Sequence, residues 1–442
     1  VYYVAKASQL FIESGTKFQR DIIWAMGVMK FAAARANAEL GLLSWEKAYA
    51  IMDVAREIME GLHDGRIVVD VFQTGSGTGL NINVNEVIAQ RALEKFGISL
   101  HPNDDVNLGQ SSNDVVPTAI RLAVIKAWSD KLRPKLIKLI DALGAKAEEF
   151  KTVVKAGRTH LRDALPVTFG QELSGYRDAF ARNLKALESL GEFVKEVPIG
   201  GTAVGTGVNT HPSFGERVVE IINAETGLAI KRGNPFTEMK LLTDILLFSG
   251  GLRALAVDLL RLCQDLRLMF SGPYTGLGEI ELPSQEEVPG SSAMPGKTNP
   301  VTLEATMQAV VYVLGLDETV KWAASLGEFE LAMGIPVAGW ATVREVEVLA
   351  EALGKITDLV ILNMKPKVDI MKSYAERSAA LITLLAPIMG YDKAREVAGR
   401  SIRDVLREMG LDESEIEKLL DPANLTTPGF KVRRRHKNGS QS

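Results

Sequence analysis

The stretch from residue 238 to 270 constrains this chain more than any other. Leu241, Ile245, Phe248, Leu252, Leu255, Leu259, Leu262, Leu266 and Met269 recur at alternating spacings of four and three. That is a heptad seam, which buries one stripe of a long helix against its neighbours. At 1.5 Å per residue such a helix spans roughly 50 Å. Leu242, Leu246, Val257 and Leu260 add apolar surface on other faces, so the helix needs partners on more than one side. Two readings fit: a bundle that continues across a subunit interface, or a core helix enclosed by its own chain. Both make the fold mainly α.

The flanking sequence agrees. Residues 8–62 read as helices, with SQLFIES opening the first and Ser44 capping SWEKAYAIMDVAREIMEGL. Residues 118–150 read as helical with a kink at Pro134, Pro166 starts a helix running to about Glu196, and more helix is expected near 300–325 and 341–363. A smaller C-terminal region ends in KVRRRHKNGSQS, which reads as a disordered basic tail and not as a nucleic-acid arm.

Composition excludes several functions. The 442 residues are 46% hydrophobic with a net charge of −4, which suits a soluble protein with a large core and argues against nucleic-acid binding by bulk charge. The single cysteine, Cys263, rules out an intrachain disulfide, a cysteine-only zinc site and a multi-cysteine iron–sulfur cluster. It fits a reducing compartment. No apolar run approaches the ~20 residues of a membrane span. The N-terminus lacks a signal-peptide pattern and opens on Val1, so the true start is expected upstream.

The loops carry the chemistry. Residues 290–300, GSSAMPGKTNP, combine small hydroxyls, one cation and one amide with two glycines and two prolines. Such a loop suits a small anion, or is an ordinary surface turn. It is not a nucleotide P-loop, because five residues separate Gly290 from Gly296 and a polar acidic stretch precedes it. Glycines at 75, 77 and 79 make a turn that can approach an anion; it misses the dinucleotide fingerprint, since Leu80 stands where the last glycine belongs. Ser111, Ser112, Asn113 and Asp114 precede Pro117 and mark a helix start, where free N–H groups favour anions. A plain cap needs only one of them. His101, Asn103 and Asp104 form a second polar pocket or a turn. Thr159 and His160 lie in a polar loop, and a lone histidine is more often structural than catalytic. The glycine-rich GGTAVGTGVNTHP has a site role or a structural one.

Taken together, QTGSGTGLNINVNEV, QSSNDVVPTA, GRTHLRDALPVTFGQE, GGTAVGTGVNTHP and GSSAMPGKTNP resemble, in order and spacing, the fumarase/aspartase superfamily, most closely its class II (iron-independent) fumarases. The Thr-His pair narrows the choice, because aspartases typically carry TQL there. The likeness covers nearly the whole chain. It implies an all-helical, three-domain fold divided near 1–110, 111–363 and 364–442. Long helices of four subunits would form the core of a homotetramer, with each active site shared by three chains. It implies reversible hydration of fumarate to (S)-malate in the cytoplasm, without metal or other cofactor, and without nucleic-acid or membrane partners.

By the same match Ser291 is the base at carbon, and His160, oriented by Glu304, handles the proton of water. Substrate carboxylates fall to Ser76, Gly77, Thr78, Ser111, Ser112, Asn113, Thr159, Ser292, Lys297, Thr298 and Asn299. A second, non-catalytic anion site maps to His101, Pro102, Asn103 and Asp104. Gly79-Leu80, Leu108-Gly109 and Arg162 depart from the usual residues, which bears on substrate range. The nearest alternative is an ammonia-lyase or another fumarate-releasing lyase; a scaffold that kept the fold has no need of the intact Ser291, Lys297, Asn299, Thr159 and His160.

Overall fold

The computed structural model describes residues 2–287, 290–429 and 431. All of the basic tail except Lys431 lies outside them. The fold is mainly α, and strands occur among the described residues only as four two-stranded pairs. Among the described residues no helix is long and apolar enough to cross a membrane.

The seam helix runs Thr243–Phe270, about 42 Å at 1.5 Å per residue. Eight of the nine seam residues are buried; Leu241, which precedes the helix, is 49% exposed. The helix does not reach back to 238 because the Met239 carbonyl accepts from Ala332 N–H at 3.0 Å instead of from the next helical turn. The other faces divide as their residues require. Leu242 is buried, whereas Leu247, Val257 and Leu268 are exposed.

The chain packs into two compact units. The first comprises residues 1–137, 181–260 and 307–354. Its long helices interlock through small residues and aromatic edges: Phe248 meets Trp128 edge-on at 6.0 Å, and Gly251 leaves room for Leu187 and Leu190. Arg20–Glu39 packs on Trp45–Met59 and Ser112–Ala127. Ser44 caps as expected, accepting from Lys47 N–H. SQLFIES is helical only through Leu10; beyond it Ile12 N–H bonds the Phe72 carbonyl at 3.1 Å. Within the helical run from 112, a π-turn at Trp128–Leu132 falls just before Pro134. Pro134 has no N–H for the carbonyl of Asp130, so the ladder slips there.

The second unit comprises residues 138–180, 261–306 and 355–442. Here the sequence expectation for Pro166 is corrected. Pro166 lies in the strand Arg162–Thr168, opposite Ala156 of the strand Val154–Thr159. The following helix starts at Phe169 and ends at Val194. Its start is set by a reciprocal cap: Thr168 Oγ1 accepts from Gln171 N–H at 3.1 Å while Gln171 Oε1 accepts from Thr168 N–H at 2.9 Å. The C-terminal helices close on Leu385, Val405, Leu406, Ile416 and Leu420.

Candidate active site

In the first unit two of the polar segments meet. The turn at residues 74–77 leads into the helix Thr78–Phe96 through Gly77, whose φ of +77° suits glycine. A Cβ at Gly77 would sit 2.6 Å from Val116 Cγ1, so the turn lies directly on the helix Ser112–Ala127. Ser76 and Thr78 share a hydroxyl hydrogen bond of 2.8 Å. Asn81, one turn into the first helix, donates to Ser112 Oγ and to Asn107 Oδ1, both at 3.1 Å. Ser111 caps the second helix in a capping box with Asp114.

Asp114 then binds a third segment. One carboxylate oxygen accepts Ser111 N–H at 2.9 Å; the other accepts Gly200 N–H at 3.1 Å and Thr202 N–H at 2.9 Å. Asn113 Nδ2 donates to the Ala203 carbonyl at 2.8 Å. The glycine-rich loop around 200–207 is thus the partner that holds the helix start, which is a structural role. Burial pushes the Asp114 carboxyl up to about 6, against the pull of these N–H donors and of Lys30. Lys30 is fully buried on Arg20–Glu39, and burial pulls it down to about 7, with Asp114 opposing.

The second unit presents the Thr159–His160 segment and the 290–300 loop. Thr159 ends its strand, and His160 and Leu161 form the tip of the hairpin with φ of +55° and +56°. Two consecutive left-handed residues make a tight turn that normally takes Asn or Gly. His and Leu there carry about 1–3 kcal/mol of strain each. The stem is held from below by charge: Arg158 pairs with both oxygens of fully buried Glu279, at 3.1 and 3.0 Å, and Lys155 bonds Glu172 at 2.7 Å.

The loop 290–300 folds back on itself ahead of the helix Val301–Ala324. Asn299 Nδ2 donates to the Gly290 carbonyl, and a Cβ at Gly290 would collide with the Lys297 carbonyl at 2.2 Å. Ser291 Oγ accepts two backbone N–H groups, from Ala293 at 3.2 Å and Met294 at 3.0 Å. Ser292 and Lys297 are exposed, and Thr298 is half-buried. Glu304 pairs with Arg267 at 3.3 Å. Among the described residues of one chain no hydrogen bond joins Glu304 to His160.

The expected second anion site forms a π-turn at Pro102–Val106. His101 Nδ1 accepts from Asn103 N–H at 3.3 Å and Asp104 N–H at 3.1 Å. Both side chains of the His101–Asp104 pair are exposed.

Sequence reasoning missed Lys30, Asn81, Asn107, Gln110 and the capping role of Asp114. Asn81 sits inside QTGSGTGLNINVNEV and Asn107 three residues before QSSNDVVPTA, and the five asparagines in LNINVNEV and VNLGQSSND were the available signal. Lys30 had none, since a lysine in an alanine-rich helix reads as solvent-facing.

The chain is similar to known proteins over nearly its whole length. Residues 2–315 match the family described as Lyase, and residues 381–427 match the family described as Fumarase C C-terminus. It is 56% identical, over 97% of this chain and 99% of the relative, to the class II fumarate hydratase of Saccharolobus solfataricus. It is 43% identical to that of Mycobacterium tuberculosis, over 93% of this chain and 87% of the relative. Among solved structures it resembles a recombinant class II fumarase from Schistosoma mansoni, with a TM-score of 0.90 and 31% identity over 96% of this chain and 94% of that one.

Proposed function

The chain belongs to the class II fumarase family of lyases, and from that premise we propose that it is a fumarate hydratase, interconverting fumarate and (S)-malate. The observation that carries the reading is Ser291 Oγ beneath two backbone N–H groups, at 3.2 and 3.0 Å. An ordinary serine is far too weakly acidic to be present as the alkoxide that can take a proton from carbon. Donors aimed at its oxygen favour the alkoxide, and Lys297 in the same loop adds a positive charge.

In the malate-to-fumarate direction Ser291, as the alkoxide, removes a proton from the carbon beside one carboxylate. The electron pair moves into that carboxylate and gives a dianionic aci-carboxylate. The pair then returns to form the double bond as the C–OH bond breaks. His160 delivers a proton to the departing hydroxide, which leaves as water. Hydration is the reverse. Preorganised donors must hold the extra charge, each contributing a factor of roughly 10² to 10³. Lys297, Thr298, Asn299, Ser292, Thr159, Ser76, Gly77, Thr78, Ser111, Ser112 and Asn113 are the proposed donors. Closure of the 290–300 loop over the substrate gates the step.

The proposed assembly is a homotetramer in which three chains complete each site, with Glu304 of one copy orienting His160 of another. The exposed apolar residues of the long helices support it: Leu247 and Val257 on Thr243–Phe270, Val311, Tyr312 and Trp322 on Val301–Ala324. The three-domain division at 1–110, 111–363 and 364–442 belongs to the same proposal, as does His101, Pro102, Asn103 and Asp104 as a second anion site. A cytoplasmic location is proposed on the single, buried Cys263, whose thiol burial pushes up to about 12.

The test is ultraviolet detection of fumarate formed from (S)-malate and, separately, from aspartate, with the mass of the assembly measured by light scattering. Activity on malate alone, from a tetramer, is expected. Activity on aspartate would move the protein to the ammonia-lyase branch.

A further inference from the structure

We propose that Lys30, Asn107 and Asn81 form a buried relay that holds the Ser112 oxygen as their acceptor, so that Ser112 meets the substrate carboxylate as a donor. This rests on Ser112 being a carboxylate ligand, as in the reading above. The residues all lie in the first unit.

The argument is one of donors and acceptors. A lysine ammonium only donates. Lys30 Nζ lies 2.9 Å from Asn107 Oδ1 and 2.9 Å from Gln110 Oε1. Both amides are therefore held with their oxygens inward. Burial draws Lys30 down to about 7, but a neutral amine keeps two N–H groups, one for each oxygen. Asn107 Nδ2 is held from behind by the Gln110 carbonyl at 3.2 Å.

With Asn107 Oδ1 facing Asn81 at 3.1 Å, the nearer group of Asn81 must be its NH2. Flipping Asn81 would set oxygen against oxygen. The same NH2 lies 3.1 Å from Ser112 Oγ and gives its second hydrogen there. Asn81 is 1% exposed and Lys30 fully buried, so water does not compete for these bonds. The arrangement leaves Asn81 Oδ1 without a partner among the described residues, so it is held by its donors and not by full satisfaction of the amide. A Ser112 oxygen that already accepts from Asn81 turns its own hydrogen outward. A serine free to rotate could present a lone pair to the substrate instead, which repels a carboxylate. Lys30, Asn107 and Asn81 are positioning residues: none of them is proposed to touch substrate.

The experiment is a double-mutant cycle on the full-length protein, read as KM and kcat for (S)-malate and, without turnover, as the Kd of succinate by calorimetry. Ser112→Ala is expected to raise KM and Kd about 10- to 100-fold, the loss of one hydrogen bond to a charged group, and to lower kcat as well, since one donor to the developing charge is lost. Ser112 is not the capping residue, so this variant keeps its helix. Ser112→Thr should restore both constants. Asn81→Asp has the same shape but accepts the Ser112 hydrogen, and should weaken binding as much as Ser112→Ala. In the Ser112→Ala background it should add nothing.

The proposal is overturned if Ser112→Ala leaves both constants unchanged. It is equally overturned if Asn81→Asp acts as strongly without Ser112 as with it, because the role is then packing alone. Should Asn81→Asp not fold, Lys30→Met in the same two backgrounds replaces it, and Ser112→Ala decides alone if neither folds. Wild-type protein that turns over malate while the cycle shows no coupling sinks the relay and spares the function. Wild-type protein that binds succinate but does not turn over malate sinks the function and leaves the relay to the calorimetry.

Discussion

The two regions proposed to handle anions are built in opposite ways. At the start of Ser112–Ala127 almost every polar atom has an internal partner: Asp114 accepts three backbone N–H groups, and Lys30 spans two amides. The 290–300 loop is mostly exposed and is tied by few bonds, chiefly Asn299 to the Gly290 carbonyl and the two N–H groups on Ser291. The first region is preorganised and rigid, which suits groups that only hold a carboxylate. The second carries the proposed base, and a base that must meet carbon, exclude water and release product needs freedom to move. The lesson is that binding and chemistry can be assigned to different mechanical classes of the same chain.

The comparison breaks first at Ser291. Ser291→Ala should lower kcat by at least about 10³-fold, since it removes the proposed base, while light scattering shows the assembly and circular dichroism the helix content unchanged. Near-normal turnover would reassign the base. At the hairpin tip His160→Asn should lower kcat about 10²- to 10⁴-fold. Leu161→Gly, by contrast, should stabilise the protein by about 1 kcal/mol in urea unfolding, because glycine adopts the positive φ without strain. A loss of stability there would show that the tip is not strained.

The rigid region is tested by Asp114→Ala. Removing one carboxylate strands the N–H groups of Ser111, Gly200 and Thr202, and should destabilise the protein by about 3 kcal/mol in urea. Turnover of the protein that stays folded should fall less than in Ser291→Ala. If Asp114→Ala costs little stability but most of the rate, the division between holding and chemistry is wrong.

The smallest effect is expected away from both regions. Glu345 is fully buried beside Asp317, and the Ser249 hydroxyl lies within hydrogen-bond distance of both carboxyls, at 3.0 and 2.9 Å. Burial, aided by Asp317, holds the Glu345 carboxyl well above its usual range, against the pull of Ser249 and Arg253. Such an acid binds its proton more tightly folded than unfolded. Its contribution is complete at low pH and drains as pH rises from the usual glutamate range through the raised native value. Glu345→Gln should therefore unfold at higher urea than wild type at pH 8 and flatten the fall in stability between pH 5 and 8. An unchanged slope would mean that Glu345 is already ionised in the fold.

Much of this was legible in the chain. The heptad leucines appear as the buried face of Thr243–Phe270, and Ser44 and Ser111 cap the helices they precede. What failed did so for local reasons. Pro166 looked like a helix start, but the Thr168–Gln171 box lies two residues on and takes that role. His160 could not be separated from a structural histidine by composition; the structure adds only that it sits at a hairpin tip with a positive φ. Lys30 was invisible because a lysine declares its burial only through its partners.

The sequence by itself determined the helical class, the caps and the five loops, because apolar period, capping chemistry and glycine placement act within a few residues of chain. Only the tertiary structure decided which loops meet and which way their hydrogens point. Asp114 reaches across 86 residues to Gly200, and Asn81 across 31 to Ser112. Contacts of that range depend on how helices stack, and the polarity of a hydroxyl depends on which donor stands behind it.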